Sequence, residues 1–173
     1  MGTERAGYED EGASIEGYKM AEPKYKGKKL GPFEVEVEEG STKLYAERTE
    51  DLNPLYVDEE YAKKSKFGGI IAQPNYAIVY MLAGVMDAFT DPAMPEIMAD
   101  LDFEIGLQNL LHGEQELEFF EPVRPGDKIS TEAEVVNVYK KKNLGFMEFG
   151  TASRNQKGEL VSKGIFTAVF TGI

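Results

Sequence analysis

The sequence contains no cysteine, no tryptophan and a single histidine, His112. Without cysteine, disulfide bonds and thiolate chemistry are excluded. One histidine, with no carboxylates clustered at ligand spacing, argues against a bound metal. The sequence also lacks the nucleophile motif of serine hydrolases and a glycine-rich phosphate loop. We therefore expect neither a metal nor a cofactor.

Basic residues are scarce: 19 Lys and Arg stand against 31 Asp and Glu, which gives a net charge of −12. Nucleic-acid affinity comes mostly from neutralised phosphates, so this charge argues against nucleic acid and against an anionic membrane surface. Its simplest role is to keep the protein in solution.

Long apolar segments are also missing. No run reaches the ~20 residues needed to span a bilayer, and the N-terminus lacks the apolar region of a signal peptide. We therefore expect a cytoplasmic protein. The length of 173 residues fits one domain. Residues 1–30 mix acidic and basic runs with Gly and Pro and are predicted to form an extended tail, before a single domain over 31–173.

The most apolar stretch runs from Pro74 to Phe89 and is predicted to be a buried helix, because hardly any polar residue interrupts it. Pro74 suits the first helical position, where a missing N–H costs nothing. The expected core face comprises Ile78, Met81, Leu82, Val85, Met86 and Phe89.

Strand-like runs follow this helix, over 114–120, 128–139, 143–153 and 159–170, with turn signals at 124–127 and 155–158. Before it, a strand is predicted from Phe33, a helix over 42–49 capped by Ser41, and a short helix from Asp58 to Lys64. Residues 91–97 are predicted to be a loop. One apolar helix with a long antiparallel meander indicates an α+β fold, in which a curved antiparallel sheet wraps around one long central helix.

Two segments carry a resemblance. EDLNPLYVDEEYAKKSKFGGIIAQPNYA (50–77) and LLHGEQELEFFEPVRPGD (110–127) resemble the MaoC-like hotdog dehydratases and (R)-specific enoyl-CoA hydratases, in particular the N-terminal-type domains that lack the catalytic histidine. The likeness covers residues 33–173. It implies a hotdog fold, an acyl-CoA or acyl-carrier thioester as ligand, and a homo- or heterodimer with another hotdog chain.

The departures from the family pattern bear on activity. Active members carry Gly-Asp-x-Asn-Pro-x-His and then a helix that opens with Ala-His-Gly. Here the loop supplies Asp51, Asn53 and Pro54, but the histidine position is Tyr56. The glycine whose N–H would polarise the thioester carbonyl falls on or beside Pro74, which has no N–H.

Hydration of a 2-enoyl thioester needs an acid and a base near neutral pKa and a donor for the developing oxyanion. Tyrosine, with a pKa near 10, is a poor base at pH 7. The resemblance implies Asp51 and Asn53 as catalytic candidates. As substrate-binding candidates it implies Tyr56, Gly69, Ile70, Ile71, Asn75, Tyr76 and Tyr80.

Each candidate also has a structural interpretation. Asp51 could brace its own loop with Asn53, and Tyr56 could be a packing residue with a bonded hydroxyl. His112 is expected to order a turn. Lys63, Lys64 and Lys66 fit a solvated helix face as well as a site for coenzyme A phosphates.

Three hypotheses remain open. The favoured one is a subunit of a hydratase or dehydratase, with an incomplete site of its own, that supplies interface and acyl-binding walls beside a catalytic hotdog partner. The second is a self-sufficient (R)-specific hydratase using Asp51. The third is a non-catalytic acyl-CoA-binding or scaffold protein. A hotdog thioesterase would need a carboxylate within the central helix, and Asp87 lies too near its end.

Overall fold

The computed structural model describes residues 18–20, 25–100 and 109–171, with residues 18–20 and Asp100 described by their backbone alone. The strands are β1 (Tyr18–Met20), β2 (Lys29–Glu36), β3 (Leu110–Phe119), β4 (Lys128–Lys141), β5 (Leu144–Arg154) and β6 (Leu160–Thr171). The helices are α1 (Glu39–Arg48), α2 (Pro54–Val57), α3 (Glu59–Lys64), α4 (Ala77–Ala88) and α5 (Met94–Asp100). A 3-10 turn over Pro74–Tyr76 leads directly into α4.

The strands form one antiparallel sheet in the order β1-β4-β5-β6-β3. β2 also pairs with β4, along the half of β4 that β1 leaves open. Alternate residues of β5 are buried, from Gly145 to Ser153, as expected when one sheet face covers a core. The predicted turn at 155–158 is confirmed, since the Gly158 N–H donates to the Asn155 carbonyl at 2.9 Å.

Helix α4 packs against the inner face of this sheet, so the predicted α+β class and the helix-against-sheet arrangement are confirmed. Its buried residues recur at spacings of three and four, which places them on one face: Ala77, Tyr80, Met81, Gly84, Val85 and Ala88. A Cβ on Gly84 would lie 3.4 Å from the Thr131 side chain, so a small residue there allows close contact between helix and sheet.

The predicted core face of this helix was partly wrong. Met81 and Val85 are buried as expected, and Ile78, Leu82, Met86 and Phe89 are half-buried and pack against the core. The prediction left out the buried residues Ala77, Tyr80, Gly84 and Ala88, and Val79 is 37% exposed. The sheet covers one side of the helix. An all-apolar sequence gives no periodic signal for which side that is, so the rotation of the helix could not be read from it.

Two local predictions were also wrong. Residues 91–97 are not all loop: Met94 begins α5, which buries Met94, Ile97 and Met98. Pro95 is the second residue of α5, and proline is tolerated in the first turn of a helix. Helix α1 begins at Glu39 rather than 42, so Ser41 lies inside it instead of capping it.

Part of the predicted tail contributes to the described structure. Residues 18–20 pair with residues 139–141 of β4, and the Tyr25 side chain is buried in the core. Residues 1–17 and 21–24 lie outside the described residues, so the boundary at residue 30 stays a prediction. None of the helices in the described ranges is long and apolar enough to cross a membrane.

Candidate active site

Asp51 lies directly after helix α1, where the chain turns sharply. Glu50 adopts the left-handed conformation with φ of 57°, and the Asp51 N–H donates to the Ala46 carbonyl at 3.0 Å. These two features fix the start of the loop that carries the family motif. The Asp51 side chain is half-buried, and its Oδ2 atom accepts a hydrogen bond from Gln73 Nε2 at 3.0 Å.

Gln73 is held from its other side by Thr49. The Thr49 Oγ1 atom lies 2.9 Å from Gln73 Oε1 and 2.9 Å from the Tyr45 carbonyl, so these two acceptors share its one proton. An ionised carboxylate only accepts hydrogen bonds, so the amide must turn its NH₂ group toward Asp51 and its oxygen toward Thr49. Gln73 is 7% exposed, and this chain of two bonds satisfies its buried amide.

Asn53 has a local structural contact. Its Oδ1 atom accepts from the Leu55 N–H at 3.0 Å and caps α2, while its own backbone is extended ahead of Pro54. This cap positions Tyr56 within α2. A catalytic role for Asn53 stays a prediction.

Tyr56 is half-buried at the position where active relatives carry histidine. Burial raises the pKa of its phenol above the usual 10.0, and the charge of Asp51 raises it further. The phenol therefore remains protonated at neutral pH, so it can donate a hydrogen bond but cannot act as a base.

The predicted substrate-binding residues of the 3-10 turn are anchored to α1. Tyr76 is buried, and its hydroxyl lies 2.7 Å from the Ser41 Oγ atom. The Asn75 side chain is exposed. The backbone carbonyl of Asn75 accepts a hydrogen bond from the Tyr45 hydroxyl at 3.2 Å. Pro74 occupies the first position of the turn, as predicted, and offers no N–H.

A cavity of about 190 Å³ lies beside this turn, between α4 and the start of β6. Its apolar walls include Ile71, Ala77, Phe119, Phe120, Val123 and Val161. Its polar lining consists of Gln73, Tyr76, Tyr80 and Glu121. Of the predicted binding residues, the structure brings Ile71, Tyr76 and Tyr80 together around this cavity.

Gly69 and Ile70 lie outside the cavity lining, in a loop that Arg124 holds in place. Arg124 Nη2 donates to the Phe67 carbonyl at 2.6 Å, and Nη1 donates to the Ile70 carbonyl at 3.5 Å. The Asp127 carboxylate accepts from the Arg124 N–H at 2.7 Å. This loop supplies Phe67 and Ile71 to the cavity wall, so Arg124 positions one side of it.

Sequence reasoning missed two residues of this region, Gln73 and Ser162. Gln73 stands where the family has the histidine of Ala-His-Gly, so the motif held a signal for it. Ser162 had no comparable signal, because its partner Tyr80 is remote in the chain.

Other candidates lie apart from the cavity. His112 is inside β3 rather than at a turn, with its ring tilted by 34° against that of Phe166 and the ring centroids 4.6 Å apart. Lys63 pairs with Glu59 and Glu60 on the exposed face of α3. A larger, more open groove of about 480 Å³ on the outer face of the sheet contains none of the predicted site residues. Among the described residues, no group of His, Asp and Glu has the arrangement of a metal site.

The chain is similar to known proteins both in sequence and in structure. Residues 24–163 match the family model described as FAS1-like, dehydratase domain region. Two curated relatives are UPF0336 proteins. The one from Thermobifida fusca is 27% identical over 107 residues, which is 62% of this chain and 64% of the relative. The one from Parafrankia is 30% identical over 145 residues, covering 82% and 86%. The match to the Thermobifida fusca protein thus covers slightly less than two thirds of that relative's length.

Solved structures agree on the fold. A monoamine oxidase regulatory protein from Archaeoglobus superposes with a TM-score of 0.67 at 26% identity, covering 86% of this chain and 91% of that one. The (R)-hydratase PhaJ1 from Pseudomonas aeruginosa gives 0.60 at 23%, covering 86% and 83%. The HadBC (3R)-hydroxyacyl-ACP dehydratase complex from Mycobacterium tuberculosis gives 0.67 at 18%, covering 84% and 96%.

These likenesses, with the helix-against-sheet architecture, confirm the predicted hotdog fold. The chain belongs to the FAS1-like dehydratase region family.

Proposed function

We propose that this chain is a subunit of an acyl-thioester hydratase or dehydratase whose own site is incomplete. It would add water to 2-enoyl thioesters, or remove it from 3-hydroxyacyl thioesters, together with a catalytic hotdog partner. The thioester would be carried by coenzyme A or a carrier protein, in the fatty acid or lipid metabolism of the cytoplasm. This chain would contribute the acyl-binding cavity and part of the interface.

The observation that carries the proposal is the set of groups around Asp51. The expected histidine is Tyr56, which stays protonated, and the expected backbone donor is Pro74, which has no N–H. One oxygen of Asp51 is already bound by Gln73, which removes part of its capacity to bind and activate water. An acid and base pair and an oxyanion donor would therefore have to come from elsewhere.

Comparison supports a partner chain. The Mycobacterium tuberculosis dehydratase superposed above is a complex, and the Pseudomonas aeruginosa relative is a hydratase. A two-chain enzyme in which one hotdog chain carries the catalytic pair would account both for the retained cavity and for the missing histidine.

The test is an assay of crotonyl-CoA and longer enoyl-CoA hydration, first with the purified chain and then with a co-purified hotdog partner. We expect little activity from the chain alone. In the complex, Asp51→Ala should leave most of the activity, because the partner supplies the catalytic groups. The matched control is the aspartate of the partner's own motif, whose replacement should abolish activity.

A loss of about 10³-fold or more in kcat/KM on Asp51→Ala, with the complex still assembled, would contradict this assignment. Such a loss would favour the alternative in which Asp51 itself is the working catalyst. The second carboxylate oxygen of Asp51 is not bonded to Gln73 and could serve that role. Acyl-CoA binding with no turnover in any complex would instead favour a binding or scaffold protein.

A further inference from the structure

The cavity beside α4 is lined by Tyr80, whose hydroxyl is bonded to Ser162 behind the cavity wall. Tyr80 and Ser162 are each 2% exposed, and the Tyr80 hydroxyl lies 3.0 Å from the Ser162 Oγ atom. Each hydroxyl satisfies the other, so neither requires a polar group from a ligand. Tyr80 lies on α4 and Ser162 on β6, so this bond ties the helix to the sheet and holds the Tyr80 side chain in place.

One end of the cavity is accessible. Phe119 and Phe120 form part of its wall and are 49% and 45% exposed. Gln73, which binds Asp51, borders it one turn before Ala77 and two turns before Tyr80. Gln73 precedes the 3-10 turn and Tyr80 lies in the first turn of α4. At rises of about 2.0 Å per residue in the 3-10 turn and about 1.5 Å in α4, the two residues are separated by about 12 Å along the axis. The wall between them is mainly apolar, with Ala77 leaving room on the helix side.

The size of this space limits what can fill it. The cavity measures about 190 Å³. An apolar protein cavity of ~150 Å³ accommodates benzene, whereas pockets for drug-sized ligands begin at ~300 Å³. The space therefore suits a small aliphatic group and is too small to enclose a long chain.

We infer that this cavity holds the acyl end of a short-chain pantetheine thioester, of about four to six carbons, and that Tyr80, held by its bond to Ser162, is the floor that sets this length. This inference rests on the proposed function, because it assumes a thioester ligand. It goes further by naming the class of acyl group and the residues that select it. Pantetheine is common to coenzyme A and to acyl-carrier proteins.

The experiment measures binding, so it does not depend on turnover. Butyryl-, hexanoyl-, octanoyl- and decanoyl-CoA are titrated into the full chain by calorimetry, and the same acyl groups are tested on a carrier protein. We expect the Kd of the decanoyl thioester to be at least about tenfold weaker than that of the hexanoyl thioester. The carrier that binds more tightly identifies the source of the pantetheine.

Two variants of opposite effect test the floor and the wall. Tyr80→Leu shortens the floor residue and should tighten decanoyl binding by about tenfold. Ala77→Leu fills the cavity from the helix side and should weaken hexanoyl more than butyryl binding. Tyr61→Leu, at an exposed tyrosine away from the cavity, is the matched control and should change neither.

The outcomes separate this inference from the function on which it rests. If no acyl thioester binds, whether on coenzyme A or on a carrier protein, both are overturned. If all four chain lengths bind equally to the wild-type chain, or Ala77→Leu weakens them all alike, only the length selection is overturned. Should Tyr80→Leu fail to fold, the wild-type series and Ala77→Leu decide the question.

Discussion

At the scale of single residues, the motif aspartate is retained as Asp51 but is hydrogen-bonded to a glutamine, and Tyr56 stands at the histidine position. Gln73 gives its NH₂ group to Asp51 and its oxygen to Thr49, so its orientation is fixed from both sides. A neutral amide cannot transfer a proton at neutral pH. The contact therefore orders the Asp51 loop without supplying the missing catalytic group.

This contact predicts the effect of Gln73→Glu. The substitution places a second carboxylate against Asp51 in a nearly buried position, so we expect the free energy of unfolding to fall by about 1–3 kcal/mol at pH 8. Repulsion raises the folded-state pKa of the new carboxyl above its unfolded value of about 4.3. The loss should therefore shrink toward pH 5, where one carboxyl takes up a proton and can donate.

The matched control is Gln156→Glu. Gln156 makes the same kind of bond, from Nε2 to Asp127 Oδ1 at 2.9 Å, but it is exposed. Water can solvate a second carboxylate there, so urea unfolding at both pH values should show a smaller loss. Equal losses for the two variants, or a Gln73→Glu loss that does not change with pH, would contradict the interpretation.

Tyr80 predicts a dependence of stability on alkaline pH. Burial raises the pKa of its phenol, while the hydrogen bond with Ser162 acts in the opposite direction. The folded state therefore keeps a proton that the unfolded chain releases near pH 10, and this part of the stability is full below about pH 10 and lost above it. Tyr80→Phe should make the fall in unfolding free energy above about pH 10 less steep, by at most ~1.4 kcal/mol per pH unit.

The measurement is chemical denaturation of both proteins at a series of alkaline pH values. Tyr61→Phe, at an exposed position, controls for the loss of one tyrosine. If the unfolding free energies of the wild-type chain and Tyr80→Phe ran parallel with pH, the Tyr80 phenol would titrate alike in the folded and unfolded states. That result would contradict the prediction.

At the scale of elements, Gly164 leaves no room for a side chain where β6 passes β3. A Cβ on Gly164 would meet the Glu116 carbonyl and lie 2.8 Å from the Leu117 Cδ2 atom. Gly164→Ala should therefore push these strands apart, with a loss of about 1–3 kcal/mol in the free energy of unfolding. Hydrogen exchange of the β3 amides should become faster, because their partners on β6 shift.

Gly40→Ala is the control for this prediction. Gly40 lies in α1, and a Cβ there meets nothing within 4 Å. Alanine is the better helix former, so this variant should gain about 0.5–1 kcal/mol. If Gly164→Ala also stabilised the protein in urea unfolding, the close approach of the two strands would not be a constraint.

At the scale of the whole molecule, β3 is the end strand of the sheet in the described part of the chain, paired there with β6 alone. An open strand edge is a liability unless another chain or element covers it. We propose that a hotdog partner does so, and we expect sedimentation at micromolar concentration to show a dimer at least. Leu111, exposed on β3, lies at this edge, so Leu111→Lys should weaken the assembly.

The control is Leu44→Lys. Leu44 is 51% exposed and Leu111 is 54% exposed, but Leu44 lies on α1, away from the edge of the sheet. A monomeric wild-type protein, or equal weakening by both lysine variants, would argue against assembly through β3.

The sequence determined the features that depend on near neighbours in the chain. It gave the four long strands that follow the helix, the turn at 155–158, the cap on α3 by Asp58 and the start of the helical region at Pro74. Each of these follows from periodicity or from the chemistry of a few adjacent residues. The family motif, also local, gave Asp51 and the substitution at Tyr56.

Only the tertiary structure decided the contacts between distant residues. Gln73 reaches Asp51 across 22 positions, Arg124 reaches Phe67 across 57, and Tyr80 reaches Ser162 across 82. The rotation of α4 belongs to the same group, because an apolar helix without polar positions carries no periodic signal for the face that the sheet will cover. These features depend on strand order and on which helix face meets the sheet, which no short window of sequence contains.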